Sequence, residues 1–129
     1  MGIKRVVGEI QMQRPEAAIV INGLLPRATR SSKGLLYDGD GKTNIMNAID
    51  NVNEELKSFC KPHENLYYFD AKDLFVIEEE FENLEQKHKI IPHELMRDFL
   101  HPTALGYHNW GVAIVKEIRT ILDGHLVDS

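Results

Sequence analysis

Ala17-Ala18-Ile19-Val20-Ile21-Asn22-Gly23-Leu24-Leu25-Pro26 is the stretch that decides the fold class of this chain. Residues 17–21 form a short, continuous apolar run with β-branched members. That is the pattern of a strand covered on both faces, as in a parallel sheet. Asn22-Gly23 is also a hairpin-turn dipeptide. Pro26 follows almost at once and no alternating strand lies beyond it, so the hairpin is the poorer account of the same residues. Upstream, Ile3, Val6, Val7 and Ile10 fall at i, i+3, i+4 and i+7, one stripe of an amphipathic helix that Arg14-Pro15 ends. Downstream, residues 27–44 are polar and glycine-rich and read as a surface loop. Ile45, Ile49, Val52, Leu56 and Phe59 give a second helical stripe, and Asn65 to Asp70 a second strand. From Leu74 to Leu84 the apolar residues Leu74, Ile77, Phe81 and Leu84 share one face, opposite Glu78, Glu79, Glu80, Glu82 and Glu85. This predicts a solvated acidic helix rather than a cation-binding face. The last helix is expected from about Thr103 to Leu122. It would bury Tyr107, Gly111, Ile114, Ile118, Ile121 and Leu122 and stop at Asp123-Gly124. The order helix, strand, helix, strand, helix predicts an α/β layered fold with parallel strands.

The 129 residues are a one-domain length, long enough to bury a core, and no repeat or linker divides them. Lys and Arg number 15 against 20 Asp and Glu, a formal net charge of −5. A nucleic-acid groove or an anionic membrane surface needs a basic face, so neither is an expected partner. No apolar run approaches the roughly 20 residues that span a bilayer. The start, Met1 to Glu9, does not read as a signal peptide, because Glu9 interrupts its apolar part. Val6 stands where a myristoylation signal needs Ser or Thr. Cys60 is the only cysteine, so no internal disulfide forms; a cytoplasmic location is the expectation.

Several candidate sites fail on spacing. Asp40-Gly41-Lys42-Thr43 is like the end of a phosphate-binding loop, but Leu36 stands where the first glycine belongs. As a calcium loop, the same stretch puts Lys42 at the fifth position and Thr43 at the glycine position. The six histidines (His63, His88, His93, His101, His108 and His125) form no two-apart or four-apart pair, so neither a metal site nor a cofactor is expected. Cys60 ends a helical stripe, which suits a small core residue better than a catalytic thiolate. Ser31, Ser32, Ser58 and Ser129 lie outside any glycine-flanked strand-to-helix turn of the kind that exposes a nucleophile.

Asp98 and His101 lie just ahead of the last helical pattern, in Met96-Arg97-Asp98-Phe99-Leu100-His101-Pro102-Thr103. A carboxylate at this spacing can accept the imidazole Nδ1 hydrogen, fix the tautomer and stabilise an imidazolium. Nε2 is then free to act as a general base. A surface pair ahead of a helix would carry the same residues.

Asp98-Phe99-Leu100-His101-Pro102-Thr103-Ala104-Leu105-Gly106-Tyr107 resembles the last signature block of the SGNH (GDSL-type) hydrolases. There an Asp-x-x-His precedes the C-terminal helix and is often followed by Gly-Tyr. Ile19 to Arg27, with Gly23-Leu24-Leu25-Pro26-Arg27, is similar to the strand and loop of the branch that contains the platelet-activating-factor acetylhydrolase catalytic subunits. Asn51-Val52-Asn53-Glu54-Glu55-Leu56 and the strand ending in Asp70 fall where that branch has similar segments, so the resemblance covers nearly the whole chain. It implies a flavodoxin-like three-layer α/β/α fold and ester hydrolysis by a serine triad, with His101 as base and Asp98 as its orienting carboxylate. The family's Gly-Asp-Ser block, and the glycine and asparagine blocks of its oxyanion hole, have no counterpart here; Asn22, Asn44 and Asn53 are not in their context.

The resemblance therefore implies a single truncated domain over residues 1–129, the C-terminal part of an ester hydrolase that is inactive alone. Its substrate would be a small ester once the missing part completes the site. The family's sheet would also leave the 17–21 strand with an unpaired edge, open to pairing with a partner or with itself. The alternative is accordingly a non-enzymatic interaction module built on that edge. An enzyme with Ser31 or Cys60 as substitute nucleophile is a third reading.

Overall fold

The structure, a computed structural model, describes residues 2–28, 34–37, 44–79 and 88–127. Helix α1 (Gly2–Gln13) leads into strand β1 (Ile19–Asn22), helix α2 (Asn44–Cys60) and strand β2 (Leu66–Phe69). A single 3-10 turn at Lys72–Leu74 is followed by strands β3 (Ile77–Glu79) and β4 (His88–Ile90), and helix α3 (Ala104–Val127) closes the order. The fold class is mixed α/β. β1 and β2 run parallel with Ile19 opposite Leu66 and Asn22 opposite Phe69, as the two apolar runs predict. Asn22-Gly23 makes no hairpin. Instead the Gly23 amide extends the parallel ladder by donating to the Phe69 carbonyl at 2.9 Å.

Around this pair, α1 and α2 build the first core cluster. Val7, Ile21, Leu56, Cys60 and Leu66 are buried together, with Ile3, Ile19, Val52, Phe59 and Tyr68 packed against them. Cys60 is a small core residue, its thiol pushed up by burial. α1 buries Val7 alone, while Val6 and Ile10 of the same expected stripe stay exposed. Asn53 is the one buried polar side chain among the described residues. Its amide accepts from the Leu24 N–H at 2.7 Å and donates to the Leu24 carbonyl at 3.0 Å. Both backbone groups of the residue leaving the parallel pair are thereby satisfied by α2.

A second cluster lies under the C-terminal half. Leu36, Met46, Phe75, Ile91, Met96 and Phe99 are buried in it. Each such side chain, fully buried, contributes about 1.5–3 kcal/mol. Tyr37 ties its rim together: its hydroxyl donates to Asp50 Oδ2 at 2.6 Å and accepts from Lys72 Nζ at 2.8 Å.

Three expectations from the sequence need correction. First, the 27–44 stretch is not simply surface loop: Ala28, Gly34 and Leu36 are buried. Leu35 bridges Ile90, and the Leu36 amide donates to the Lys89 carbonyl, so this segment lines the β3–β4 pair and turns Leu36 inward. The aspartates and glycines of 38–43, with Ser31 and Ser32, lie outside the described residues. Second, the acidic helix expected from Leu74 to Leu84 gives way to the 3-10 turn and β3, which pairs antiparallel with β4; residues 80–87 lie outside the described residues. Cross-strand pairing explains the change. Ile77 faces Ile90 and Glu78 faces Lys89, an apolar and an opposite-charge pair that a lone acidic helix would lack. Third, α3 runs through Asp123-Gly124 to Val127, and its buried face is offset from the predicted one. Gly106 and Ile121 are buried, while Tyr107, Gly111, Ile118 and Leu122 are exposed. Among the described residues no helix is long and apolar enough to cross a membrane.

The exit from β1 is tightly packed. A Cβ added to Gly23 would lie 2.3 Å from the Tyr68 hydroxyl oxygen and 2.9 Å from Cζ. That hydroxyl is buried with no hydrogen-bond partner among the described residues, and burial pushes its pKa up to about 12. Gly23→Ala is expected to cost about 1–3 kcal/mol in urea denaturation. Tyr68→Phe alone should be near neutral and should recover part of the loss in the double variant. An unchanged midpoint for Gly23→Ala would contradict this packing.

Candidate functional site

The sequence placed its functional pair between residues 96 and 103, and local backbone chemistry organises that segment around one carboxylate. Asp98 Oδ1 accepts from the backbone N–H of Leu100 at 3.0 Å and of His101 at 2.8 Å. This is the local side-chain-to-backbone turn that Asp favours. The other oxygen, Oδ2, accepts from His101 Nδ1–H at 2.6 Å. Nδ1 can donate to a carboxylate only with its proton in place, so in the neutral ring the lone pair is left on Nε2.

Phe99, between the pair, is what lets one carboxylate reach both amides. Its φ is +61°, the left-handed region, and it is the only non-glycine residue there among the described residues. Such a conformation costs on the order of 1–3 kcal/mol. Burial of the ring offsets a cost of that size. The ring is 4% exposed, lies 4.5 Å from the His93 ring centroid and joins the second core cluster, and the Phe99 carbonyl accepts from the Ala28 amide at 3.0 Å. The loop leaving β1 is thus bonded directly to the turn that carries the pair.

Thr103 fixes the other side. Its hydroxyl accepts from the Gly106 amide at 3.1 Å, an N-cap bond for α3. The same hydroxyl donates to the Glu94 carbonyl at 2.6 Å, and the Thr103 amide donates to the Leu95 carbonyl at 2.8 Å. The helix start therefore sits against the 93–97 turn, and Gly106 makes the approach possible. A Cβ there would be 2.6 Å from the Leu95 carbonyl oxygen and 2.9 Å from the Phe75 ring. His93 Nδ1–H in turn donates to the Arg97 carbonyl at 2.9 Å.

His93, Arg97, Asp98, Phe99, His101 and Thr103 line one open cleft. The His101 side chain is 74% exposed and that of Asp98 33%, so the pair faces outward with its carboxylate half covered. Chemically, the arrangement can take a proton at Nε2 while Asp98 stabilises the imidazolium.

The sequence placed Asp98 and His101 together, and the structure does so too. Sequence reasoning missed His93, Phe99 and the capping role of Thr103. A threonine three residues before Gly106 at the start of a helical pattern was a legible cap signal; nothing in the sequence marks the left-handed Phe99. Cys60 is buried in the first cluster among α1, β1, α2 and β2 partners, away from the cleft residues, and Ser58 is exposed on α2. Asn53 serves the Leu24 backbone, and Asn22 ends β1. Among the described residues no group of three His, Cys, Asp or Glu side chains is placed to hold a metal ion.

No family model matches the chain, and no curated protein matches it.

The Asp98 carboxyl is held well below the usual carboxylate range, first by the His101 imidazole and then by the His101 and Leu100 amides. The unfolded chain therefore binds the proton at higher pH than the folded one. The stabilisation is fully present above the unfolded value of about 3.9 and is lost as pH falls towards the lower folded value. Stability is expected to rise with pH across about pH 2 to 5, and Asp98→Asn to flatten that rise in urea melts. Equal pH slopes in the two proteins would contradict the assignment.

Proposed function

We propose that Asp98 and His101 are the base half of an SGNH-type ester hydrolase triad, in a domain of flavodoxin-like α/β/α design. The observation that carries the reading is the 2.6 Å contact from His101 Nδ1 to an Asp98 carboxylate that two backbone amides already orient. A base needs its tautomer and direction set before substrate arrives, and this one has both. Further support comes from the parallel β1–β2 pair and from a final helix capped immediately after the pair. In this reading the hydroxyl nucleophile and the oxyanion donors come from outside the described residues. Without them the pair does not turn over an unactivated ester, because the oxyanion donors and the nucleophile each contribute orders of magnitude. The substrate class is a small carboxylic ester.

A second reading is favoured by a specific feature of β1. The Ile19 and Gly23 amides both donate to the β2 side, so the alternate residues Val20 and Asn22 turn their backbone groups to the other edge. Among the described residues nothing pairs with that edge, and Ile3, Val6, Ile10 and Val20 line an apolar groove beside it. This is the form of a strand-addition surface, and in this reading the chain is an interaction module.

The full-length transcript separates the two. The hydrolase reading expects an in-frame Gly-Asp-Ser block ahead of Met1 and an encoded protein with esterase activity that falls about 10⁴-fold or more in His101→Ala. Absence of that block from the transcript, or activity indifferent to His101→Ala, would overturn it in favour of the interaction module.

A further inference from the structure

We propose that His101 is itself an acyl acceptor, its Nε2 taking the acyl group of activated aryl esters with no serine involved. This step goes beyond the hydrolase reading and stands on the cleft geometry alone. Asp98 occupies Nδ1 at 2.6 Å, which leaves the Nε2 lone pair as the free nitrogen of the ring. The side chain is 74% exposed, and no hydrogen-bond partner holds Nε2 among the described residues. A nucleophile with these properties is directed, accessible and unoccupied.

The carboxylate also assists the chemistry. As Nε2 bonds to a carbonyl carbon the ring becomes cationic, and Asp98, fixed by two amides, stabilises that charge without having to move. Pro102 and Ala104 give the cleft apolar wall against which an aryl group can lie, and Arg97 adds positive charge to the same cleft, where the tetrahedral oxyanion would form. Among the described residues, His63, His93 and His108 have no carboxylate on a ring nitrogen. The Nδ1 of His93 serves a neutral carbonyl instead. His101 should therefore react before any of them.

The step balances. The Nε2 lone pair attacks the ester carbonyl, the tetrahedral adduct collapses, and the C–O bond breaks with its electron pair leaving on the aryloxide. The Nδ1 proton stays in its hydrogen bond to Asp98. Water then attacks the acyl-imidazolium carbonyl and gives up one proton, which solvent passes to the aryloxide; the C–N bond breaks, its electrons return to Nε2, and a carboxylic acid departs. One ester and one water give one phenol and one carboxylic acid. Alkyl esters are excluded, because an alkoxide leaves the adduct more slowly than imidazole does.

The test treats the 129-residue chain with 4-nitrophenyl acetate, follows nitrophenolate release, and maps acetylated residues by mass spectrometry after a brief acid-quenched exposure. The expected result is first acetylation at His101. Initial release should fall about tenfold or more in His101→Ala and less steeply in Asp98→Asn, with His63→Ala unchanged. Per-site acetylation rates within the unaltered chain give the answer even where a variant folds poorly. Acetyl groups spread evenly over exposed histidines and lysines, or release unchanged in His101→Ala, would overturn the proposal. Alkyl acetate turnover by a serine-bearing full-length protein is a separate readout. Its loss in His101→Ala would leave the base role standing even where His101 itself takes no acetyl group.

Discussion

A single carboxylate holds three hydrogen bonds within four residues, and the cleft depends on it. Asp98 accepts from the Leu100 amide, the His101 amide and the His101 ring, so one side chain sets the backbone of the turn and the direction of the imidazole together. These are charge-assisted bonds, stronger than neutral ones, and they satisfy amides that precede a helix and have no helical partner of their own.

The rest of the fold keeps that turn in place. Phe99 accepts an unfavourable backbone conformation and recovers the cost by burying its ring beside His93 in the core cluster of Phe75, Ile91 and Met96. Its carbonyl receives Ala28 from the loop that leaves β1, and that loop is itself gripped by Asn53 on α2. Thr103 caps α3 and bonds back to the 93–97 turn. The loop leaving the parallel pair, held by the second helix, and the capped start of the last helix therefore both bond to the segment 94–99. A 24-residue helix that begins one residue after a capping threonine also gives the turn a rigid neighbour.

Where a pattern needed only neighbouring residues, the sequence was readable. The β-branched run at Ile19–Ile21, the apolar, aromatic run at Leu66–Phe69 and the 3.6-residue stripe of α2 are local signals and match the observed elements within a few residues. So was the spacing of Asp98 and His101. What failed was decided by partners distant in sequence. Ile77-Glu78-Glu79 satisfies a helical stripe by itself and becomes a strand because Ile90, Lys89 and His88 lie opposite. Leu36, in a polar segment, is buried because its amide meets Lys89. On α3 apolar residues occur on more than one side, so periodicity picked out Ile121 correctly but put Tyr107 and Leu122 inside with it and missed Gly106. In the cleft, the left-handed backbone at Phe99 is invisible in composition, since most residues at such a position would be glycine or asparagine.

The central claim is that Asp98 pre-sets the His101 ring and leaves Nε2 free. Nitrogen-15 NMR of the His101 ring in its neutral form tests this most directly. The account predicts a proton on Nδ1, shared with Asp98, and an unprotonated Nε2. A proton on Nε2, or the mixed tautomers of a free imidazole, would contradict it.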